Sequence, residues 1–252
     1  MEYNTDRQLG FSEMGVRPSL PASLTRQLIA YIGNKRRLLS FLAPILAAES
    51  ERASDRLGSG GAPTLLDPMC GSGAVSRLGR HLGYRVLAND WEPFAAAVTA
   101  PYLENSVEDL SLLFGSAGGI ESLLADLNRY GREGGDEVVP YIARHYAPDS
   151  TKNPQIGGER LFYTAENARF IDRIRTRIDE LYPDSSAAET LRARGILLAL
   201  LLYEASNHAN TSGVFKAYHR GFGGHGRDAL SRILAPMELE LPVFPKGPVG
   251  GA

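Results

Sequence analysis

Two carboxylates and a glycine turn are the residues of this chain best suited to hold a small ligand. Thr64-Leu-Leu-Asp67 is an apolar run that ends on an acid, Cys70-Gly-Ser-Gly73 follows as a turn, and Asn89-Asp90 closes a second apolar run, Tyr84-Arg-Val-Leu-Ala88. Gly71 and Gly73 let the main chain approach a ligand where a side chain would clash. An acid at the end of a strand accepts hydrogen bonds from ribose hydroxyls, or complements a cation. The chemistry on offer is recognition of a nucleoside-bearing molecule, not nucleophilic attack. Cys70, the single cysteine, reads as a small packing residue beside the turn.

These residues need a scaffold that brings them together. Strand, glycine turn, helix from Val75 to Leu82, strand, acid, and a further helix starting at Phe94 make one βαβ unit of an α/β fold. That unit puts Asp67 and Asp90 at the C-terminal ends of adjacent parallel strands, where such sheets bind ligands. The turn is not the G-x-G-x-x-G of dinucleotide enzymes, since Ser76 stands at the third position. A shorter turn led by an acid suits the cationic methionine end of S-adenosylmethionine, which the unit favours over a dinucleotide. A turn that binds nothing remains the alternative. Upstream, Tyr31-Ile-Gly-Asn-Lys35 is a glycine break before a basic helix start, within a stretch from Leu24 to Leu46 that reads as helical in parts.

The bulk of the sequence is compatible with a packed domain. It has 252 residues, 43% of them apolar and 22% charged, and a net charge of −2. Its longest aliphatic run, Ile196 to Leu202, is far too short to cross a bilayer. The first twenty residues mix Glu2, Asp6, Arg7, Glu13 and Arg17 with no apolar core, unlike a secretory signal. One cysteine makes neither an internal disulfide nor a zinc site. A cytoplasmic protein with no membrane partner and no metal is the expectation.

Past residue 105 the pattern turns helical. Thr164 is placed to cap a helix whose Ala168, Ile171, Ile174, Ile178 and Leu181 share one face. Ala188 to Ala205 reads as a second helix, apolar on most sides and therefore buried. From Asn207 to Arg232 the chain carries four Lys/Arg against one acid, a local basic strip able to meet phosphates despite the acidic whole. A solvated loop explains the same charges.

Taken in order, these motifs resemble the Dam-like, alpha-group N6-adenine DNA methyltransferases. Tyr31-Ile-Gly-Asn-Lys35 is similar to that family's Tyr-x-Gly-x-Lys. Asp67-Pro-Met-Cys-Gly-Ser-Gly73 is similar to its Asp-x-Phe-x-Gly-Ser-Gly, with Met69 and Cys70 replacing more usual residues, and Asn89-Asp90 to the acid after its second strand. Arg160-Leu-Phe-Tyr-Thr-Ala-Glu-Asn-Ala168 and Ala209-Asn-Thr-Ser-Gly-Val-Phe215 look like segments that follow in one branch of it.

The resemblance implies a Rossmann-like S-adenosylmethionine-dependent methyltransferase fold with an incomplete sheet and a helical target-recognition insert. Residues 1–22 would be an arm, 23–104 the cofactor-binding portion, 105–235 the recognition region and 236–252 a tail. It implies that Tyr31, Gly33 and Lys35 lie beside the methionine end of the cofactor, that Asp67, Gly71 and Gly73 hold that tail, and that Asp90 holds the ribose. It makes double-stranded DNA the substrate, with Asn210, Thr211, Lys216, His219 and Arg220 as candidate contacts. Loop residues satisfying their own backbone are the competing explanation for those five.

One part of the family's pattern is missing. Transfer to the exocyclic N6 of adenine needs a flipped base, acceptors for the amine and an aromatic platform, which the family provides as Asp/Asn-Pro-Pro-Tyr/Phe. Ala100-Pro-Tyr102, Asn153-Pro-Gln-Ile156 and Val139-Pro-Tyr141 each lack essential members of it. The expectation is a split enzyme, whose second polypeptide supplies the catalytic motif and the remaining strands. Without them Thr64 to Leu66 would be an apolar strand with an unpaired edge. A non-catalytic remnant that binds DNA or a partner is the alternative.

Overall fold

The two apolar runs form strands of four residues each. β1 (Thr64–Asp67) and β2 (Arg85–Ala88) pair in parallel, Thr64 facing Arg85 and Asp67 facing Ala88. The computed structural model describes residues 20–29, 31, 33–57, 61–135, 138–184, 187–211, 217–224, 227–241 and 243–244. Most of the expected arm, Lys216 and the last eight residues lie outside the described residues. The ladder continues past the strands through Asn89 N–H to Asp67 O (2.9 Å) and Cys70 N–H to Asn89 O (2.9 Å). These bonds carry both acids to the same end of the sheet. Among the described residues the sheet has these two strands, so their outer edges carry no strand partner. Leu66 and Leu87 are 62% and 47% exposed, which leaves apolar surface on both strands in water.

The crossover helix α3 (Ala74–His81) follows the turn, and α1 (Ala22–Thr25) packs on it. Arg77 of α3 is buried and donates to Ser23 O (2.6 Å) and Arg26 O (3.2 Å). Burial pushes its guanidinium down to about 10. This clamp fixes the segment that runs on to Tyr31. A 3-10 turn, Lys35–Leu38, then leads into α2 (Leu39–Leu57).

The main core is helical. α4 (Pro93–Glu104), α5 (Val107–Phe114), α6 (Ile120–Glu133), α7 (Tyr141–Tyr146), α8 (Ala165–Leu181), α9 (Ala188–His208) and α10 (Arg227–Leu234) surround it. Thr164 caps α8 as its type and position demand, accepting from Asn167 N–H at 3.1 Å. Ala168, Ile171, Ile174 and Ile178 are buried, but Leu181, the last residue of α8, is 39% exposed: the covered stripe ends one turn earlier. α9 is covered by α4, α5, α8 and α10, which explains its apolar character on most sides. Among the described residues no single helix is long and apolar enough to cross a membrane.

Two boundaries drawn on the sequence do not divide the packing. α4 lies before residue 105, yet it packs on α9 and gives Val98 and Tyr102 to the helical core. The helical core therefore takes in α4, while a second, smaller cluster of Leu24, Leu39, Ala43, Ala74 and Leu78 packs around α3. Residues 236–241 and 243–244 have no regular element but are docked. Asn167 accepts from Met237 N–H (3.0 Å) and donates to Ala235 O (3.0 Å), while Asn128 exchanges both bonds with Leu239. Met237, Leu239 and Phe244 are buried, and Phe244 stacks on Tyr102 with ring centres 4.7 Å apart. Two buried amides thus read the segment as a neighbouring strand would.

Candidate cofactor site and recognition surface

A cleft of about 950 Å³ opens at the C-terminal ends of β1 and β2, the size expected of a small-molecule site. Its walls include Tyr31, Gly33, Lys35, Asp67, Gly71 and Asp90. Six of the seven cofactor candidates, drawn from three separate motifs, meet there. The approach is close: a Cβ on Gly71, where φ is +53°, would lie 2.9 Å from Tyr31 Cε1. Only glycine lets the tyrosine ring rest on the turn. Lys35 curls back, donating from Nζ to Gly33 O at 2.7 Å.

Gly73 is the exception. It precedes α3 with φ 67°, and a Cβ there would meet Thr99 Cγ2 at 2.6 Å. Its part is to let α3 start against α4, and it does not line the cleft.

The acids are held by different partners. Asp90 accepts from Glu92 N–H (3.0 Å) and Gly71 N–H (2.7 Å), and these bonds hold its carboxyl below the usual carboxylate value. Asp90 is therefore charged at neutral pH. A carboxylate has about four lone-pair sites, so it can still accept a further donor. Asp67 accepts from the buried Ser76 Oγ at 2.6 Å. The residue that broke the dinucleotide fingerprint is thus the one that fixes the first acid. Burial, then the charges of Asp67 and Asp90, push the Cys70 thiol up, which keeps it protonated and unreactive.

Two wall residues escaped sequence reasoning. Trp91 and Met69 are 94% and 85% exposed at the cleft. The only tryptophan, directly after a strand-end acid, was the signal that could have found the first. None of the three near misses to the catalytic motif borders this cleft. Pro101 and Tyr102 are buried within α4, and Val139 and Pro140 lead into α7.

The recognition candidates do not form one surface. Asn210 is fully buried and spent on the backbone: Nδ2 donates to Leu161 O (2.8 Å), His219 O and Gly221 O (both 3.3 Å), while Oδ1 accepts from Gly223 N–H (3.2 Å). It ties the loop from inside and has nothing left to offer a nucleic acid. Thr211 pairs with Tyr218 in an antiparallel bridge, and His219 N–H donates to Asn210 O at 3.1 Å. Arg220 is exposed.

A profile of the D12 class N6 adenine-specific DNA methyltransferases matches residues 31–233. The chain is 27% identical over 217 residues to modification methylase LlaI of Lactococcus lactis subsp. lactis, a match covering 83% of this chain and 30% of that protein. It is 28% identical over 221 residues to type II methyltransferase M.NlaIII of Neisseria lactamica, covering 87% and 56%. The chain thus spans less than two thirds of the length of either relative. No solved structure matches it.

Proposed function

This chain belongs to the D12 class N6 adenine-specific DNA methyltransferase family, and we propose that it provides the S-adenosylmethionine site and target-recognition region of an enzyme that methylates adenine N6 in double-stranded DNA. The observation that carries this reading is the meeting of Tyr31, Gly33, Lys35, Asp67, Gly71 and Asp90 in one cleft. Its size and donor set fit the cofactor. Asp67 faces the methionine end and complements its cationic sulfur and amine, with Tyr31 and Lys35 beside it. Asp90 takes the ribose hydroxyls, and the exposed indole of Trp91 offers the adenine ring a stacking surface. When bound, S-adenosylmethionine supplies a methyl group made electrophilic by the adjacent sulfonium.

The chain's own residues bind and orient but do not complete the reaction. The N6 lone pair is delocalised into the purine, and no Asp/Asn-Pro-Pro-aromatic segment is present to accept from the amine and stack the flipped base. We assign that role to polypeptide outside these 252 residues, which also contributes strands beside β1. The bare strand edges and the exposure of Leu66 and Leu87 support this assignment. The helical region between α5 and α10 is the recognition part in this reading.

The expected outcome is a chain that binds S-adenosylmethionine yet forms no N6-methyladenine. Purified protein incubated with DNA and labelled S-adenosylmethionine should give background incorporation, with the bound cofactor detected by equilibrium dialysis. Turnover by these 252 residues alone would overturn that assignment.

A further inference from the structure

We propose that α7 and the loop entering Leu161 form a DNA-backbone-binding face, built on Tyr141, His145 and Arg160 and continuous with Arg220; it rests on the reading of DNA as substrate.

Three segments remote in sequence are knit into this face. Phe162 and Tyr163 donate from their N–H groups to Tyr146 O (3.0 and 3.1 Å), and Asn210 N–H donates to Phe162 O (2.8 Å). The Phe162 ring sits between Tyr146 and Tyr218, with centres 5.5 and 4.9 Å away. Tyr218 OH donates to Glu159 O at 3.3 Å. Internal aromatics and the buried Asn210 thus fasten α7 to the segment that ends in Arg220.

On the outside of this framework lie cations and an aromatic ring with little else to do. Tyr141 is 59% exposed, its ring 5.0 Å from that of His145. The Arg160 guanidinium lies 5.9 Å from the Tyr146 ring centre, and its Nη1 reaches His145 O at 3.4 Å. Among the described residues no acid pairs with Arg160 or Arg220. Glu159, the nearest acid in sequence, accepts instead from Asp149 N–H (2.8 Å) and Gln155 N–H (2.6 Å). Four arginines on other helices are neutralised instead: Arg129 by Asp126, Arg177 by Glu180, Arg192 by Asp109, Arg194 by Asp179. Residues 141–160 and 217–220 together hold four Lys/Arg against two acids in a chain of net charge −2.

A guanidinium steadied over an aromatic ring keeps its outer N–H donors in a fixed plane, the form that meets phosphate oxygens. An exposed tyrosine beside it packs on sugar. Cations without an acidic partner release counterions when they meet a polyanion, so the face should announce itself in the salt dependence of binding. Charge interleaved with single aromatics favours nucleic acid over a protein partner.

The test is fluorescence anisotropy of a labelled mixed-sequence duplex titrated with the full chain at several salt concentrations. Wild type, Arg160→Ala, Arg160→Lys and Tyr141→Ala are compared, with S-adenosylmethionine binding measured in parallel. Arg160→Ala should weaken DNA binding about tenfold at low salt and reduce the log–log salt slope by about 1. Arg160→Lys should restore the slope, and cofactor affinity should not move. Wild-type binding left unchanged in affinity and slope by Arg160→Ala and Tyr141→Ala would overturn this face while leaving the DNA reading intact. Wild-type protein that ignores DNA would overturn both.

Discussion

Asp90→Ala should lower the chain's affinity for S-adenosylmethionine by roughly two to three orders of magnitude, because each charge-assisted hydrogen bond lost is worth about 1.5–3 kcal/mol and tenfold in affinity is about 1.4. Two effects add. The ribose hydroxyls lose their acceptor, and the N–H groups of Gly71 and Glu92 lose the carboxylate that aims the turn. Asp90→Asn should fall between, since one oxygen remains but an amide –NH₂ replaces the other. Calorimetric titration of the three proteins reads the difference directly. The pH behaviour follows from the same contacts. A carboxyl whose folded pKa is lowered stabilises the turn above its ordinary value and loses that effect only as pH falls through the lowered one. Cofactor affinity controlled by Asp90 should therefore be flat from neutral to mildly acidic pH. An alanine variant binding within a few-fold of wild type would remove Asp90 from the site.

The second large effect concerns stability. Asn210→Ala removes the donor to Leu161 O, His219 O and Gly221 O and the acceptor for Gly223 N–H. Buried polar groups left unpaired cost about 1–3 kcal/mol each, and shared geometry keeps the total near 3–5 kcal/mol. That is a large part of the margin of an ordinary domain, about 5–15 kcal/mol. A thermal melt should show the loss, while Arg220→Ala, at an exposed position, should stay within about 0.5 kcal/mol. An unchanged melt for Asn210→Ala would mean the loop is not tied through this side chain.

The parts of the molecule that sequence reasoning reached are those governed by local rules. Strand, turn, helix and strand follow from apolar runs punctuated by glycine, and both strand-end acids fall where parallel pairing must put them. Thr164 caps α8 because a side-chain oxygen at that position has N–H donors within reach. What escaped depends on neighbours far away in the chain. Gly73 looks like a ligand-binding glycine until Thr99 is seen against it. Ser76 reads as a missing glycine until its hydroxyl is seen on Asp67. Asn210 is polar and sits in a basic stretch, yet the fold surrounds it with backbone groups and leaves it no outward atom. The segment 236–241 resembles a loose tail because Asn128 and Asn167, which dock it, lie on helices distant in sequence. Composition carries no trace of such pairings. The order of motifs along the chain did, which is why six candidate residues could be named before the cleft they share was seen.

The central claim is that this polypeptide by itself builds a cofactor site. Calorimetric titration of the purified 252-residue chain with S-adenosylmethionine tests it most directly. The account predicts saturable binding at one site per chain, weakened by about two to three orders of magnitude by Asp90→Ala. A folded chain that takes up no cofactor would contradict it.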